Sequence, residues 1–122
     1  MKRASLLLAA LLLIGCQAAS NLPATFIVFF PSGSTELNAD AQAAVARAAE
    51  AVRATGATQV AVASGVAQGD NLKLAEPRYL AVQRALIARG VAQSSIARSS
   101  LPSIGVNTGP TADTRVEIIL SR

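Results

Sequence analysis

The stretch Asn71-Leu72-Lys73-Leu74-Ala75-Glu76-Pro77-Arg78-Tyr79-Leu80-Ala81-Val82 decides how this 122-residue chain folds. It opens a helical segment running from about Leu72 to Arg89, which Gly90 closes. Asn71 suits the N-cap of that helix, because its side chain can accept a hydrogen bond from an otherwise unpaired N–H of the first turn. Pro77 interrupts the segment. Proline inside a helix removes one hydrogen bond and costs about 3 kcal/mol, so the spacing predicts either a kink or a restart with Pro77 in the first turn.

Working outward, a glycine-rich turn from Gly65 to Asn71 separates this helix from Thr58-Gln59-Val60-Ala61-Val62-Ala63-Ser64, a β-branched run that reads as a strand. Upstream of it, Leu37, Ala41, Ala44, Val45, Ala48 and Val52 recur at three- and four-residue steps, with Gln42, Arg47, Glu50 and Arg53 on the other face. Asn38 is the expected N-cap of this first helix, Asp40 suits its positive end, and Gly56 stops it. Before it, Ala24-Thr25-Phe26-Ile27-Val28-Phe29-Phe30 is a strand closed by Pro31-Ser32-Gly33-Ser34. Downstream, Ile96 to Leu101 forms a third strand. A loop rich in Pro, Gly and Thr then leads to Thr114-Arg115-Val116-Glu117-Ile118-Ile119-Leu120, whose alternation predicts a last strand with Arg115 and Glu117 on its polar face. The order is β-α-β-α-β-β. Helices of this length between strands permit crossovers, and the expected architecture is α+β: one mixed sheet covered by two helices.

The N-terminus has a different character. Met1-Lys2-Arg3 is followed by an unbroken apolar run from Leu6 to Ile14, then by small or polar residues. That order is that of a secretory signal peptide, and the run falls short of the roughly 20 apolar residues a membrane-spanning helix needs. Leu13-Ile14-Gly15-Cys16 resembles a bacterial lipobox. Residues 1–15 are then the leader, Cys16 is the acylated first residue of the mature protein, residues 16–22 are a tether and residues 23–122 are the domain. Several acyl chains on one cysteine make a stable anchor, whereas one alone binds only marginally. Gln17, in place of an aspartate after the cysteine, favours the outer membrane.

Composition narrows the function. The chain has no His, no Trp and one Cys, which removes the commonest general base, the commonest zinc ligand and any internal disulfide. No close pair of carboxylates replaces them, so neither an enzyme nor a metal or other cofactor is expected. The chain carries 11 basic and 7 acidic side chains. Removing Lys2 and Arg3 with the leader lowers the net charge from +4 to +2. With no basic run and no aromatic residues interleaved with basic ones, nucleic acid is not an expected partner. Of the 52% apolar residues, 26 are alanines, so the side chains able to fill a core are fewer than that share suggests.

The helical stretch quoted above resembles the pattern N-x-x-L-S-x-x-R-A-x-A-V of the OmpA-like C-terminal domain family. Leu86, Ala88-Arg89-Gly90-Val91 and the run from Ala92 to Ile96 continue the likeness. Thr114-Arg115-Val116-Glu117-Ile118 is similar to the family's N/D-R-R-V-E-I, and Phe26 to Val52 fits its opening strand and helix. With the lipobox ahead of them, these motifs resemble a peptidoglycan-associated lipoprotein. The resemblance implies an OmpA-like β-α-β-α-β-β sandwich that grips the diaminopimelate of the peptidoglycan stem peptide, with no cofactor. Its ligand is an amino acid with an ammonium and carboxylates, which calls for an acid and a guanidinium side by side.

By that resemblance Arg78 matches the ligand-binding arginine and Asn71 the loop asparagine. The family's aspartate has no counterpart: Val66 stands in its place within Gly65-Val66-Ala67-Gln68-Gly69, and Asp70 is the nearest acid. Tyr79 occupies a position that is small in the family, and the segment from Pro102 to Asp113 is short. The resemblance therefore implies an outer-membrane lipoprotein, its domain facing the periplasm, that binds peptidoglycan non-covalently and links envelope layers. The alternative is a degenerate OmpA-like scaffold that has lost the cell-wall pocket and serves an envelope protein partner.

Overall fold

A computed structural model describes residues 21–64, 71–100 and 115–122, with the side chains of residues 71, 72 and 100 outside that description. The leader, Cys16, Val66, Gly69, Asp70 and the loop at 102–113 lie outside the described residues.

Strand β1 (Ala24–Phe29) leads through a turn into helix α1 (Ala39–Thr55), followed by strand β2 (Gln59–Ser64). Helix α2 (Asn71–Ala88), a short 3-10 turn at Gln93–Ser95, strand β3 (Ile96–Ser100) and strand β4 (Arg115–Ser121) complete the described chain. The ends of α1 are those its sequence dictates. Asn38 Oδ1 accepts from the Ala41 N–H at 2.9 Å, and Gly56 takes the left-handed conformation at φ +67° while its N–H bonds to Val52 O.

Two boundaries differ from expectation. α2 runs unbroken from Asn71 through Pro77, so the helix does not restart at the proline, and Asn71 is its first residue rather than a flanking cap. Strand β1 ends at Phe29; Phe30 leaves the ladder and turns into the core, 3% exposed.

The four strands form one sheet in the order β1-β4-β2-β3. β4 lies antiparallel to β1, with Phe26 opposite Ile118, and antiparallel to β2, with Val62 opposite Ile118. β3 runs parallel to β2 along the other side. The mixed sheet is therefore completed by a strand inserted between two parallel neighbours. Alternation along β4 buries Val116, Ile118 and Leu120, and these meet Val28, Val60 and Val62 under the two helices. α1 contributes Ala41, Ala44, Val45, Ala48 and Ala49, whose short side chains bring its backbone close to the sheet. α2 contributes Tyr79, Val82 and Leu86. The far ends of the helices are tied together by Arg53, whose Nη1 donates to Arg89 O at 2.8 Å.

Candidate functional site

Arg78, Val82 and Leu86 follow one another at four-residue steps, so they share one stripe of α2. Val82 and Leu86 are fully buried in the core, and Arg78 is itself only 2% exposed. An arginine thus occupies a position that helical geometry reserves for a core residue. A guanidinium taken out of water costs several kcal/mol unless its N–H groups find acceptors.

Two acceptors come from the turn after β1. Arg78 Nε donates to Ser34 O at 2.9 Å, and Nη2 makes a longer contact to Pro31 O at 3.4 Å. The guanidinium carbon lies 5.3 Å from the centroid of the Phe30 ring, within cation–π range. Burial pushes the Arg78 pKa below the ordinary arginine value, since desolvation disfavours the charged form. The turn is shaped to offer these carbonyls. Ser34 N donates to Pro31 O at 2.9 Å, and Gly33 at φ +70° sits where such a turn requires a left-handed residue. Ser34 Oγ then accepts from Glu36 N at 3.0 Å.

β1 and β2 are parallel, so the turn after β1 and the end of β2 lie at one end of the sheet, together with the start of α2. Ser64, the last residue of β2, donates through Oγ to Ala75 O at 3.2 Å and joins that strand end to α2. Of the residues singled out in the sequence, Arg78 is buried at this end and Asn71 begins α2 there; the Asn71 side chain and Asp70 lie outside the described residues.

Beside it lies a cluster that the sequence did not announce. Arg98 on β3 stacks on the Tyr79 ring at 4.4 Å from its centroid and forms a two-pronged ion pair with Glu76. The hydrogen bond that Arg98 donates to the Glu76 carboxylate raises the Arg98 pKa. Tyr79, 7% exposed, finds its space at the margin of the core beneath this guanidinium, which is how a large ring is accommodated after Arg78. Among the described residues no group of His, Cys, Asp and Glu side chains could hold a metal ion, and no described helix is long and apolar enough to cross a membrane.

No family model matches the sequence, and no curated protein matches it. Solved structures do. The OmpA-like domain of FopA1 from Francisella tularensis is similar over 80% of this chain and 73% of its own, at a TM-score of 0.63 and 22% identity. The fold is OmpA-like. The same architecture recurs in the peptidoglycan-associated lipoprotein from Burkholderia pseudomallei, over 79% of this chain and 90% of that one (TM-score 0.60, 22% identity). It recurs again in the periplasmic domain of Helicobacter pylori MotB, over 77% and 69% (TM-score 0.61, 22% identity). The OmpA-like likeness first carried by the α2 stretch and the β4 motif thus holds for the β-α-β-α-β-β order, the single mixed sheet and its two covering helices.

Proposed function

We propose that this chain is an outer-membrane lipoprotein, anchored through acylated Cys16, whose OmpA-like domain faces the periplasm and binds peptidoglycan non-covalently, linking envelope layers without catalysis. The observation that carries this reading is Arg78. A buried guanidinium is fixed by Ser34 O and the Phe30 ring at the end of the sheet where β1, β2 and α2 converge. A cation already oriented there favours a ligand carboxylate, such as that of stem-peptide diaminopimelate, because little side-chain entropy remains to be lost. Asn71, the first residue of α2, and Asp70, which precedes it in the sequence, are the proposed neighbours for the ligand's amide and ammonium groups. The likeness to the MotB periplasmic domain and to the peptidoglycan-associated lipoprotein supports an envelope setting.

A second reading rests on the same arginine. Its Nε and Nη2 serve main-chain carbonyls, and Val66 replaces the family's aspartate, which suits a scaffold that has kept the fold and serves an envelope protein partner instead.

Co-sedimentation of the full-length protein with purified sacculi separates the two. Under the first reading the protein pellets with sacculi, free diaminopimelate competes it off, and Arg78→Lys weakens pelleting while circular dichroism stays native. If the unaltered protein stays in the supernatant, the cell-wall reading fails and the scaffold stands. Incorporation of labelled palmitate, lost in Cys16→Ser, tests the anchor separately.

A further inference from the structure

β1 is an edge strand: β4 covers one side, and no described strand covers the other. Edge strands normally carry devices against pairing with a further chain, such as a charge, a proline or a bulge. β1 reads Ala-Thr-Phe-Ile-Val-Phe, with neither charge nor proline, and pairs with β4 in unbroken register from Ala24 to Phe29. Of its three outward residues, Thr25, Ile27 and Phe29, the last two are apolar, Ile27 43% and Phe29 52% exposed. Beside this edge runs a groove lined by Ile27 and Phe29 on one side and by Asp40, Ala44 and Arg47 of α1 on the other.

The charges of the groove are self-complementary. β1 and β2 are parallel, so α1 runs back antiparallel to β1, with Asp40 near the Phe29 end. Arg47, seven residues on, lies about two turns or roughly 10 Å further along, near the middle of the strand. Asp40, Ala44 and Arg47 share one helix face. Among the described residues neither Asp40 nor Arg47 has an ion-pair partner within the chain.

We infer that the β1 edge is a two-fold interface at which a second copy of this chain adds its own β1 antiparallel, with Ile27 opposite Ile27 of the other copy. The two four-stranded sheets then become one. Phe29 of each copy lies opposite Thr25 of the other, and α1 packs beside its symmetry mate across the seam. Asp40 of each copy meets Arg47 of the other, because antiparallel pairing about Ile27 exchanges the two ends of the groove. A parallel arrangement sets like charges side by side instead. The inference needs neither the lipid anchor nor the peptidoglycan pocket, so it stands or falls apart from them.

Oxidative cross-linking of the full-length protein tests it. Ile27→Cys and Phe29→Cys are each compared with the unsubstituted chain, whose single native thiol is Cys16. Two-fold pairing brings the two copies of position 27 within disulfide reach and keeps the two copies of position 29 about four residues apart along the seam, near 13 Å. Ile27→Cys is expected to give at least fivefold more disulfide-linked dimer than Phe29→Cys, although Phe29 is the more exposed. In the Ile27→Cys background, Asp40→Arg or Arg47→Asp alone is expected to cut the dimer yield at least threefold, and the two together to restore it. Equal or greater cross-linking at position 29 marks random collision and overturns the proposal. So does Ile27→Cys at the level of the unsubstituted chain, or single charge reversals without effect.

Discussion

The backbone carbonyl of Ser34 accepts a 2.9 Å hydrogen bond from Nε of Arg78, a residue two elements away in the chain. This bond, with the Pro31 contact and the Phe30 ring, fastens the turn after β1 to α2. Arg78→Met is expected to destabilise the domain by about 2–3 kcal/mol, since it removes a charge-assisted bond and leaves a part-buried carbonyl without its donor. Arg78→Lys keeps the charge but cannot fork to both oxygens, and an intermediate loss is expected. Urea denaturation measures both.

The turn itself makes an independent prediction. Among the described residues nothing lies within 4 Å of a Cβ built on Gly33, yet its φ of +70° strains any L side chain. Gly33→Ala is expected to cost about 1–2 kcal/mol through backbone conformation alone. If its effect matches that of exposed alanine substitutions, the turn is not held in this form in solution.

Tyr79 separates packing from stacking. Tyr79→Ala empties a buried site and is expected to cost about 3 kcal/mol or more, whereas Tyr79→Phe keeps the ring under Arg98 and changes little. The Arg98–Glu76 pair is more than half exposed at each partner, and its removal is expected to have a small, salt-sensitive effect. Thermal melts at low and high salt distinguish the contributions.

Stability is expected to stay level from pH 6 to 9. The chain has no histidine, and the two arginines with shifted pKa values act only at strongly alkaline pH. Burial lowers the Arg78 pKa, so the unfolded chain binds that proton more tightly, and the cost of keeping Arg78 charged is relieved only as pH rises through its lowered value. The Glu76 hydrogen bond raises the Arg98 pKa, so that contribution is complete below the ordinary arginine value and is lost as pH climbs through the raised one. A step in the denaturation midpoint between pH 6 and 8 contradicts this assignment.

Much of the fold is written in local signals. Asn38 and Gly56 bracket α1 because capping chemistry depends on neighbouring residues alone, and the alternation of Val116, Ile118 and Leu120 marks one face of β4 without reference to its partners. The partners themselves were not legible. No short-range pattern records that β4 enters between β1 and β2, because strand order depends on how the two crossovers wrap. Pro77 gave an ambiguous signal for a similar reason: whether α2 survives it depends on packing around Val82 and Leu86. The burial of Arg78 was available in its four-residue spacing from Val82, but the acceptors described for its Nε and Nη2 are main-chain carbonyls, which every residue type carries. The Arg98–Tyr79–Glu76 cluster joins β3 to α2 through side chains far apart in sequence, so only the folded chain brings it together.

The place of β4 has a consequence for the order of events during synthesis. A nascent chain that has reached Ser100 has made three strands, yet β1 has nothing to pair with, because the strand that flanks it and β2 has not been translated. The sheet cannot close from its N-terminal end inward; it waits for the residues from Arg115 onward to bridge the gap. Until then β1 has no described strand to pair with, and the sheet stays incomplete while most of the chain's length emerges.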